Sequence, residues 1–145
     1  MKNNQPVTQV ETAYPQGRYL VSKTDLKGII TYANETFVEI SGFSHEELVG
    51  KNHNLVRHPD MPPQAFADLW RTITAGLPWR GIVKNRAKNG DHYWVEAFVV
   101  PMRENDRTIG YMSVRSAPSR QAVAAAEALY QQLNQTQAAI DSRPP

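Results

Sequence analysis

Hydrophobic and polar positions divide the chain into three zones. Residues 1–17 are polar, contain two prolines and have no hydrophobic period, which is typical of a mobile arm or a cap. Residues 18–117 are dense in aromatic and β-branched side chains and are expected to form one folded domain. Residues 118–145 change to alanine and glutamine, which favours a linker with a signalling or docking helix.

The folded zone opens with short strand-like and helix-like segments. Residues 18–22 and 28–32 are β-type runs with a polar separator between them, which predicts a hairpin. Residues 34–41 then have the spacing of a short helix. Gly42 follows where such a helix would stop.

Two further helices are predicted from their start signals. Ser44 and Glu47 have the spacing of a capping box, so a short helix is expected to begin at Ser44, and Gly50 ends it. Pro62 and Pro63 stand where a longer helix begins, because proline loses nothing at the first helical position. The apolar positions of that longer helix, before a stop at Gly76, are Phe66, Leu69, Trp70 and Ile73.

After this helix the hydrophobic period changes to two, which predicts three antiparallel strands. Residues 79–88 form the first, and residues 91–102 and 108–116 form the others. Asn89-Gly90 predicts a type I′ hairpin turn, because both central residues of that turn need positive φ. The first strand has an inward face and a basic face that is expected to be solvated: Trp79, Gly81, Val83, Asn85 and Ala87 against Arg80, Ile82, Lys84, Arg86 and Lys88.

The order of elements defines the fold class. Two strands, a cluster of short helices and three strands, the last two joined by a turn at residues 104–106, predict an α+β domain with one five-stranded antiparallel sheet. Residues 119–140 are helical by propensity, and residues 142–145 end that helix. A thin seam with spacings of four and three is predicted along the helix at Ala122, Ala126, Leu129, Leu133, Thr136 and Ile140.

Composition narrows the function classes. The chain contains no cysteine, which excludes disulfides, thiolate metal sites, cysteine nucleophiles and flavin photochemistry that needs a cysteinyl adduct. A formal charge of +2 without a dominant Lys/Arg cluster argues against nucleic acid as the main partner. No run approaches the roughly 20 apolar residues of a membrane helix, and the polar start carries no secretory signal. We therefore expect no direct membrane span in this chain.

Asn85 is the most informative polar position. It is the only strongly polar residue on the inward face of an apolar strand, and an unpaired buried amide costs about 1–3 kcal/mol. Its partner is either another group of the core or a ligand edge with alternating donors and acceptors, such as the pyrimidine ring of a flavin. The residues alone leave both interpretations open.

The polar, turn-rich segment 52–62 is the second candidate site. Arg57 offers a bidentate fork for phosphate, close to a helix start that favours anions. The alternative is a solvated loop in which Arg57 and Asp60 form a surface ion pair. His53 and His58 with Asp60 also suggest metal ligands, but loop spacing is poor evidence, and we predict no metal site.

Aromatic residues supply the remaining candidates. Trp79 beside Gly81 on the inward face would let a flat ligand approach the backbone, whereas aromatics such as Tyr93 are more often core. Asn34 near a helix start is most often a cap. Gly-rich phosphate loops, Ser-centred nucleophile motifs and paired carboxylates in an apolar pocket are all missing from the sequence, so we expect no enzyme.

Longer strings are more specific than single positions. The strings TDL (24–26), ITYAN (30–34) and SGF (41–43) are similar to the first half of a PAS domain. The strings NLVRHPDMP (54–62), AFADLW (65–70), WRGIVKNR (79–86) and KNGDHYWV (88–95) narrow the match. Together these strings closely resemble the FAD-binding PAS domains of bacterial aerotaxis receptors, over about residues 20–117 and most of the tail.

The resemblance implies a PAS fold with non-covalently bound FAD as a redox sensor. Output would pass to a HAMP or other signalling domain of a chemoreceptor in cis or trans, in the cytoplasm or at the cytoplasmic face of the inner membrane, and a homodimer is compatible with it. Arg57 would meet the phosphates, and Asn85, His53 and Asn34 the ring edge. The implied cofactor-binding residues are Asn34, His53, Arg57, His58, Asp60, Trp79, Asn85 and Tyr93.

Four functions therefore compete. The preferred one is a flavin redox sensor for aerotaxis, in which Asn85 or His53 reorganises on reduction and biases the N-terminal arm and the tail helix. The alternatives are a haem-binding PAS gas sensor, a cofactor-free PAS dimerisation module and a flavoenzyme. The absence of a dinucleotide fingerprint argues against the flavoenzyme.

Overall fold

A computed structural model describes residues 4–142 of the chain. Its five strands form one antiparallel sheet in the order β2-β1-β5-β4-β3, which confirms the predicted α+β class. The first three residues of the predicted arm and residues 143–145 of the predicted helix end lie outside the described range. The elements are β1 (Leu20–Thr24), β2 (Ile30–Ala33), α1 (Glu35–Ser41), α2 (His45–Leu48), a 3₁₀ turn (His53–Val56), α3 (Pro63–Thr74), β3 (Trp79–Arg86), β4 (His92–Glu104), β5 (Arg107–Ser116) and α4 (Arg120–Asp141).

Local capping signals fix the helix starts, and these predictions are confirmed. The Asn34 side chain accepts a hydrogen bond from the Phe37 N–H at the start of α1, and Gly42 closes the helix at φ 76°. The Ser44 hydroxyl accepts from the Glu47 N–H, while the Glu47 carboxylate accepts from the Ser44 N–H, so the capping box is complete. Each bond joins groups three residues apart, which is why the sequence predicts them.

The turn between β3 and β4 differs from the prediction. The Gly90 N–H donates to the Ala87 carbonyl at 2.9 Å, and of the two predicted central residues only Gly90 has a positive φ, 98°. The type I′ prediction for Asn89-Gly90 is therefore wrong, because a longer loop places a single glycine in the left-handed region. Positive φ at two successive residues occurs instead at Asn105 (51°) and Asp106 (63°), between β4 and β5.

The N-terminal arm is docked along the β3–β4 end of the sheet. The side-chain nitrogen of Asn4 lies 2.8 Å from the Arg57 carbonyl oxygen. Glu11 pairs with His92 in a parallel bridge, and Tyr14 belongs to the central core cluster. In the described residues the arm thus has the contacts of a cap.

The basic face of β3 is not solvated at its centre, which corrects the prediction. Lys84 and Arg86 are each only 7% exposed. The Lys84 ammonium lies 2.8 Å from the Asp60 carboxylate, and Arg86 Nε donates to the Pro6 carbonyl at 2.7 Å. Helix α4 covers the same face, where the Tyr130 hydroxyl donates to a β3 carbonyl at 2.5 Å. These cations are covered by partners that are distant in sequence. Hydrophobic periodicity within β3 cannot reveal such partners.

Helix α4 packs on the sheet in a different register from the predicted seam. Val123 and Ala126 are buried against Trp94, whereas the predicted seam residues Leu129 and Ile140 are 52% and 51% exposed. The sheet therefore contacts the side of the helix that carries Val123, and the seam itself stays a prediction. Across residues 4–142, no helix combines the length and apolar character needed to cross a membrane.

Candidate ligand-binding site

A cavity lies between α3 and the inner face of the sheet. Its volume is about 120 Å³, which is smaller than the roughly 300–1,000 Å³ of typical small-molecule pockets. The apolar stripe of α3 forms one wall and the inward positions of β3 and β4 form the other. The apolar lining residues are Val56, Phe66, Leu69, Trp70, Ile73, Val83, Val95, Ala97 and Val99.

Trp79 lines one side of the cavity and covers Gly81. A Cβ atom on Gly81 would collide with the Trp79 indole ring, so the ring lies directly on the glycine backbone. Trp79 Nε1–H donates to the Asp68 carboxylate on α3 at 2.9 Å. The close approach predicted for Gly81 is therefore made by the protein's own indole, which is held between β3 and α3.

Asn85 contributes a buried amide to the cavity. It is 4% exposed, and its backbone pairs with Arg57 in an isolated bridge. Tyr93 lies directly opposite on β4, and its buried hydroxyl meets no partner at hydrogen-bonding geometry within residues 4–142. Burial raises the pKa of Tyr93, while the Arg115 cation and the neighbouring Asn85 side chain act in the opposite direction. The Asn85 amide thus lines the cavity, with the Tyr93 hydroxyl behind it.

Arg57 reaches the cavity rather than pairing with Asp60. Its guanidinium carbon lies 3.7 Å from the centre of the Phe66 ring, and burial lowers the pKa of Arg57. Its Nε is buried without a hydrogen-bond partner in the described part of the chain. The alternative of a surface ion pair is wrong, because Asp60 pairs with Lys84 instead.

Arg115 is a lining residue that was not predicted from the sequence. It is 2% exposed, and its Nη1 donates to His53 Nε2 at 3.1 Å while its Nη2 donates to Ser22 Oγ at 2.5 Å. Arginine has no acceptor, so His53 Nε2 must be the unprotonated nitrogen. Burial and the Arg115 charge lower the pKa of His53 to about 3. His53 is therefore neutral at physiological pH.

The structure separates the predicted site residues into two groups. His53, Arg57, Trp79 and Asn85 line the cavity. Asn34 caps α1 and also accepts from the Val21 N–H, and Tyr93 lies beneath the lining. Asp60 contacts α4, where its carbonyl accepts from the Asn134 side chain at 2.7 Å, and the His58 ring lies 6.0 Å from that of His92 on β4. Cofactor binding stays a prediction for Asn34, His53, Arg57, His58, Asp60, Trp79, Asn85 and Tyr93.

His53 and His58 make contacts with different parts of the structure, so they do not form the metal site considered from the sequence. His53 contacts Ser22 and Arg115 on the inner side of the sheet, whereas His58 faces the Asp60 backbone. Within residues 4–142 there is no group of three His, Cys, Asp or Glu side chains placed to hold a metal ion.

Sequence comparisons identify relatives of the chain. Residues 30–115 match the family described as PAS fold. Over 134 residues the chain is 52% identical to the aerotaxis receptor of Escherichia coli strain K12, and over 91 residues it is 32% identical to the nitrogen fixation regulatory protein of Klebsiella pneumoniae. These alignments cover 92% and 63% of this chain, but only 26% and 18% of the two relatives.

Solved structures with a similar fold include light-oxygen-voltage (LOV) domains. The structure titled "Flavin Analogue Sheds Light on Light-Oxygen-Voltage Domain Mechanism" has a TM-score of 0.66 at 21% identity, and the match covers 81% of this chain and 87% of that one. The light state of the Aureochrome1 LOV photoreceptor has a TM-score of 0.64 at 22% identity, covering 84% and 91%. At these identities the similarity concerns the fold alone.

Proposed function

Because the chain belongs to the PAS family, we propose that it is a sensor domain that binds FAD and reports redox state to a chemotaxis pathway. The observation that carries this proposal is the polar lining of the cavity. Beside its apolar walls the pocket is lined by one buried amide, Asn85, and by two cations without carboxylate partners in the described residues, Arg57 and Arg115. We assign the domain no catalytic activity of its own.

The lining suits a flat, polar-edged and negatively charged ligand. The apolar walls of α3 and β4 would hold an aromatic ring system, and the Asn85 amide matches an edge that both donates and accepts. Arg57 would bind a phosphate, because its guanidinium is positioned by Phe66 and has donors to spare. A bound flavin would supply reversible electron uptake at this place.

The choice of FAD among flavins rests on the resemblance to aerotaxis receptors and on the 52% identity to one of them. Arg57 would bind a phosphate group, and both FAD and FMN carry one. Identification of the flavin released from the protein distinguishes the two.

A haem ligand is less compatible with the lining. His53 is the histidine of the cavity, and its Nε2 is already within 3.1 Å of both Ser22 Oγ and Arg115 Nη1. No methionine or cysteine is among the cavity residues in the described range. A cofactor-free role is disfavoured chiefly by Arg115, which is 2% exposed, since a cation is costly to bury without an anionic partner.

The N-terminal arm is the proposed route for the signal. Asn4 contacts the Arg57 carbonyl, and the Tyr14 hydroxyl lies 2.9 Å from the Arg115 carbonyl. Glu11 binds Arg120 at the start of α4 with a closest distance of 2.7 Å. The arm therefore contacts the backbone of both cavity cations and the tail helix, which would carry a change at the cavity to a HAMP or other signalling domain.

We propose the same units as functional parts: an arm at 1–17, the sensor at 18–117 and a linker helix at 118–145. Asn85 or His53 would reorganise when the electron count of the ligand changes. The proposed location is the cytoplasm, or the cytoplasmic face of the inner membrane where the domain is part of an anchored receptor, and a homodimer is the proposed assembly.

The test is the absorbance spectrum of purified protein before and after dithionite, with chromatography of the released flavin. Flavin bands that bleach on reduction and released FAD are expected. Asn85→Ala should lower the flavin content, whereas Asn134→Ala, on α4, should not. A colourless protein, a Soret band or full flavin content in the Asn85 variant would contradict the proposal.

A further inference from the structure

We propose that Arg115 is the charge-compensating residue of the cavity, so that the site binds a ring bearing a negative charge more tightly than the same ring without one. This inference rests on the proposed flavin site. It adds that one buried guanidinium sets the relative affinity for the reduced and oxidised forms of the ligand.

Arg115 faces the cavity without an anionic partner. Its two described hydrogen bonds go to neutral groups, His53 Nε2 and Ser22 Oγ, and its guanidinium carbon lies 4.9 Å from the centre of the Phe37 ring. Its Nε is buried and has no acceptor within residues 4–142. Arginine carries five N–H donors, so the guanidinium is fixed in place and retains donors for a ligand.

Lys84 and Arg120 differ from Arg115 in this respect, because each has a carboxylate partner. Lys84 pairs with Asp60 at 2.8 Å, and Arg120 pairs with Glu11 at 2.7 Å. Burial lowers the pKa of Arg115 to about 10, and the groups that oppose this effect are phenols, led by Tyr93, rather than carboxylates. The charge of Arg115 is therefore desolvated and uncompensated on the protein side.

The charge balance explains which ligand state is favoured. An uncharged isoalloxazine ring that takes up two electrons and one proton would carry one negative charge. Dithionite supplies both electrons in the assay below and is oxidised to sulfite. Arg115 is already positive and needs no proton to balance the new charge, while His53, bonded to Arg115 through its unprotonated Nε2, keeps the guanidinium in position.

The first test compares Arg115→Gln and Arg115→Lys with wild-type protein. FAD content is measured first, and then the midpoint potential of bound FAD by dithionite titration against reference dyes. Two opposite charges about 6 Å apart at an effective dielectric of about 20 change a binding constant ~100-fold. Arg115→Gln should lose this factor in the preference for reduced FAD, about 60 mV for a two-electron couple, and Arg115→Lys should lose less than tenfold.

A second pair of variants tests the charge without removing Arg115. Ser22 Oγ lies 2.5 Å from Arg115 Nη2, so Ser22→Asp places a carboxylate against the guanidinium and Ser22→Asn is its neutral control. Ser22→Asp should lower the midpoint potential of bound FAD by about as much as Arg115→Gln does. Ser22→Asn should change the preference for reduced over oxidised FAD by less than tenfold. This pair decides the question even where Arg115→Gln does not fold.

The outcomes separate the two proposals. Wild-type protein that retains no flavin overturns both. Flavin retained by all variants at one common potential overturns the role of Arg115 and leaves the flavin sensor standing. Equal shifts in Ser22→Asp and Ser22→Asn also overturn it, because packing rather than charge would then be responsible.

Discussion

Replacing His58 should make the free energy of unfolding of this protein fall less steeply as the pH is lowered. His58 is 2% exposed, and its Nδ1 accepts a hydrogen bond from the Asp60 N–H at 3.0 Å. The proton therefore resides on Nε2, which is buried and has no acceptor in the described residues. A second proton would place a charge beside the Lys84 ammonium.

The structure gives the sign and size of the effect. Burial and then the Lys84 charge lower the pKa of His58 to about 4, although Asp60 acts in the opposite direction. The unfolded chain binds this proton near pH 6.5, so the stability contribution is complete above pH 6.5 and is lost as the pH falls toward 4. Each pH unit in this window costs about 1.4 kcal/mol per histidine, and about 3 kcal/mol over the whole window.

Urea unfolding between pH 4.5 and 7.5 measures this dependence, with the free energy of unfolding obtained by linear extrapolation. His58→Asn supplies an oxygen acceptor for the Asp60 N–H and has no proton to gain. Between pH 6.5 and 5 the wild type should lose about 2 kcal/mol more than this variant. Gln64→Ala, at an exposed position of α3 without a titratable group, is the control and should follow the wild-type profile.

Parallel profiles for wild type and His58→Asn would refute the reasoning. They would mean that His58 takes up its proton at the same pH in the folded protein as in the unfolded chain. A residual slope in His58→Asn is expected. The pKa of His53 is also lowered, to about 3, chiefly because of burial. The His58→Asn protein should therefore still lose some stability in acid.

Three further predictions concern single side chains. Ser44→Ala removes the capping box of α2 and should cost about 1 kcal/mol in urea unfolding; a loss below about 0.3 kcal/mol would show that the box is not needed. Tyr93→Phe removes a buried hydroxyl without a partner in the described residues and should leave stability unchanged or raise it by up to about 1 kcal/mol. A loss larger than 1 kcal/mol would reveal a missed partner. Gly81→Ala should displace the Trp79 ring, shift its fluorescence and lower flavin content with an unchanged circular dichroism spectrum, and an unaltered emission spectrum would contradict the close packing.

Features encoded by neighbouring residues could be predicted from the sequence. The caps at Asn34 and Ser44 depend on partners three residues away, and the inward positions of Trp79 and Asn85 follow from strand alternation. The burial of Lys84 could not be predicted in this way. Its cover comes from Asp60 and from α4, which are distant in sequence and have no periodic signature in β3.

Arg115 shows a different limit of sequence reasoning. Alternation along β5 places it on the same face as Tyr111 and Ser113, and all three line the cavity. The signal was therefore present, in the same form that identifies Asn85 on β3. An arginine in a strand is normally assumed to point to solvent, and only the positions of Ser22 and His53 show that this one does not.

The cations of the cavity differ from Lys84 and Arg120 on the outer side, and this difference bears on what the cavity binds. On the outer side Lys84 and Arg120 each contact a carboxylate. On the inner side Arg57 and Arg115 do not within residues 4–142, and the fall in the pKa of Arg115 to about 10 corresponds to about 3 kcal/mol by which burial disfavours its charge. A chain that stabilised its fold alone would gain by replacing such a cation with an apolar side chain. Retaining buried Arg115 beside half-buried Arg57 in one cavity is favourable only if an anionic ligand offsets the cost of desolvation, so flavin retention and charge preference should both depend on this pair.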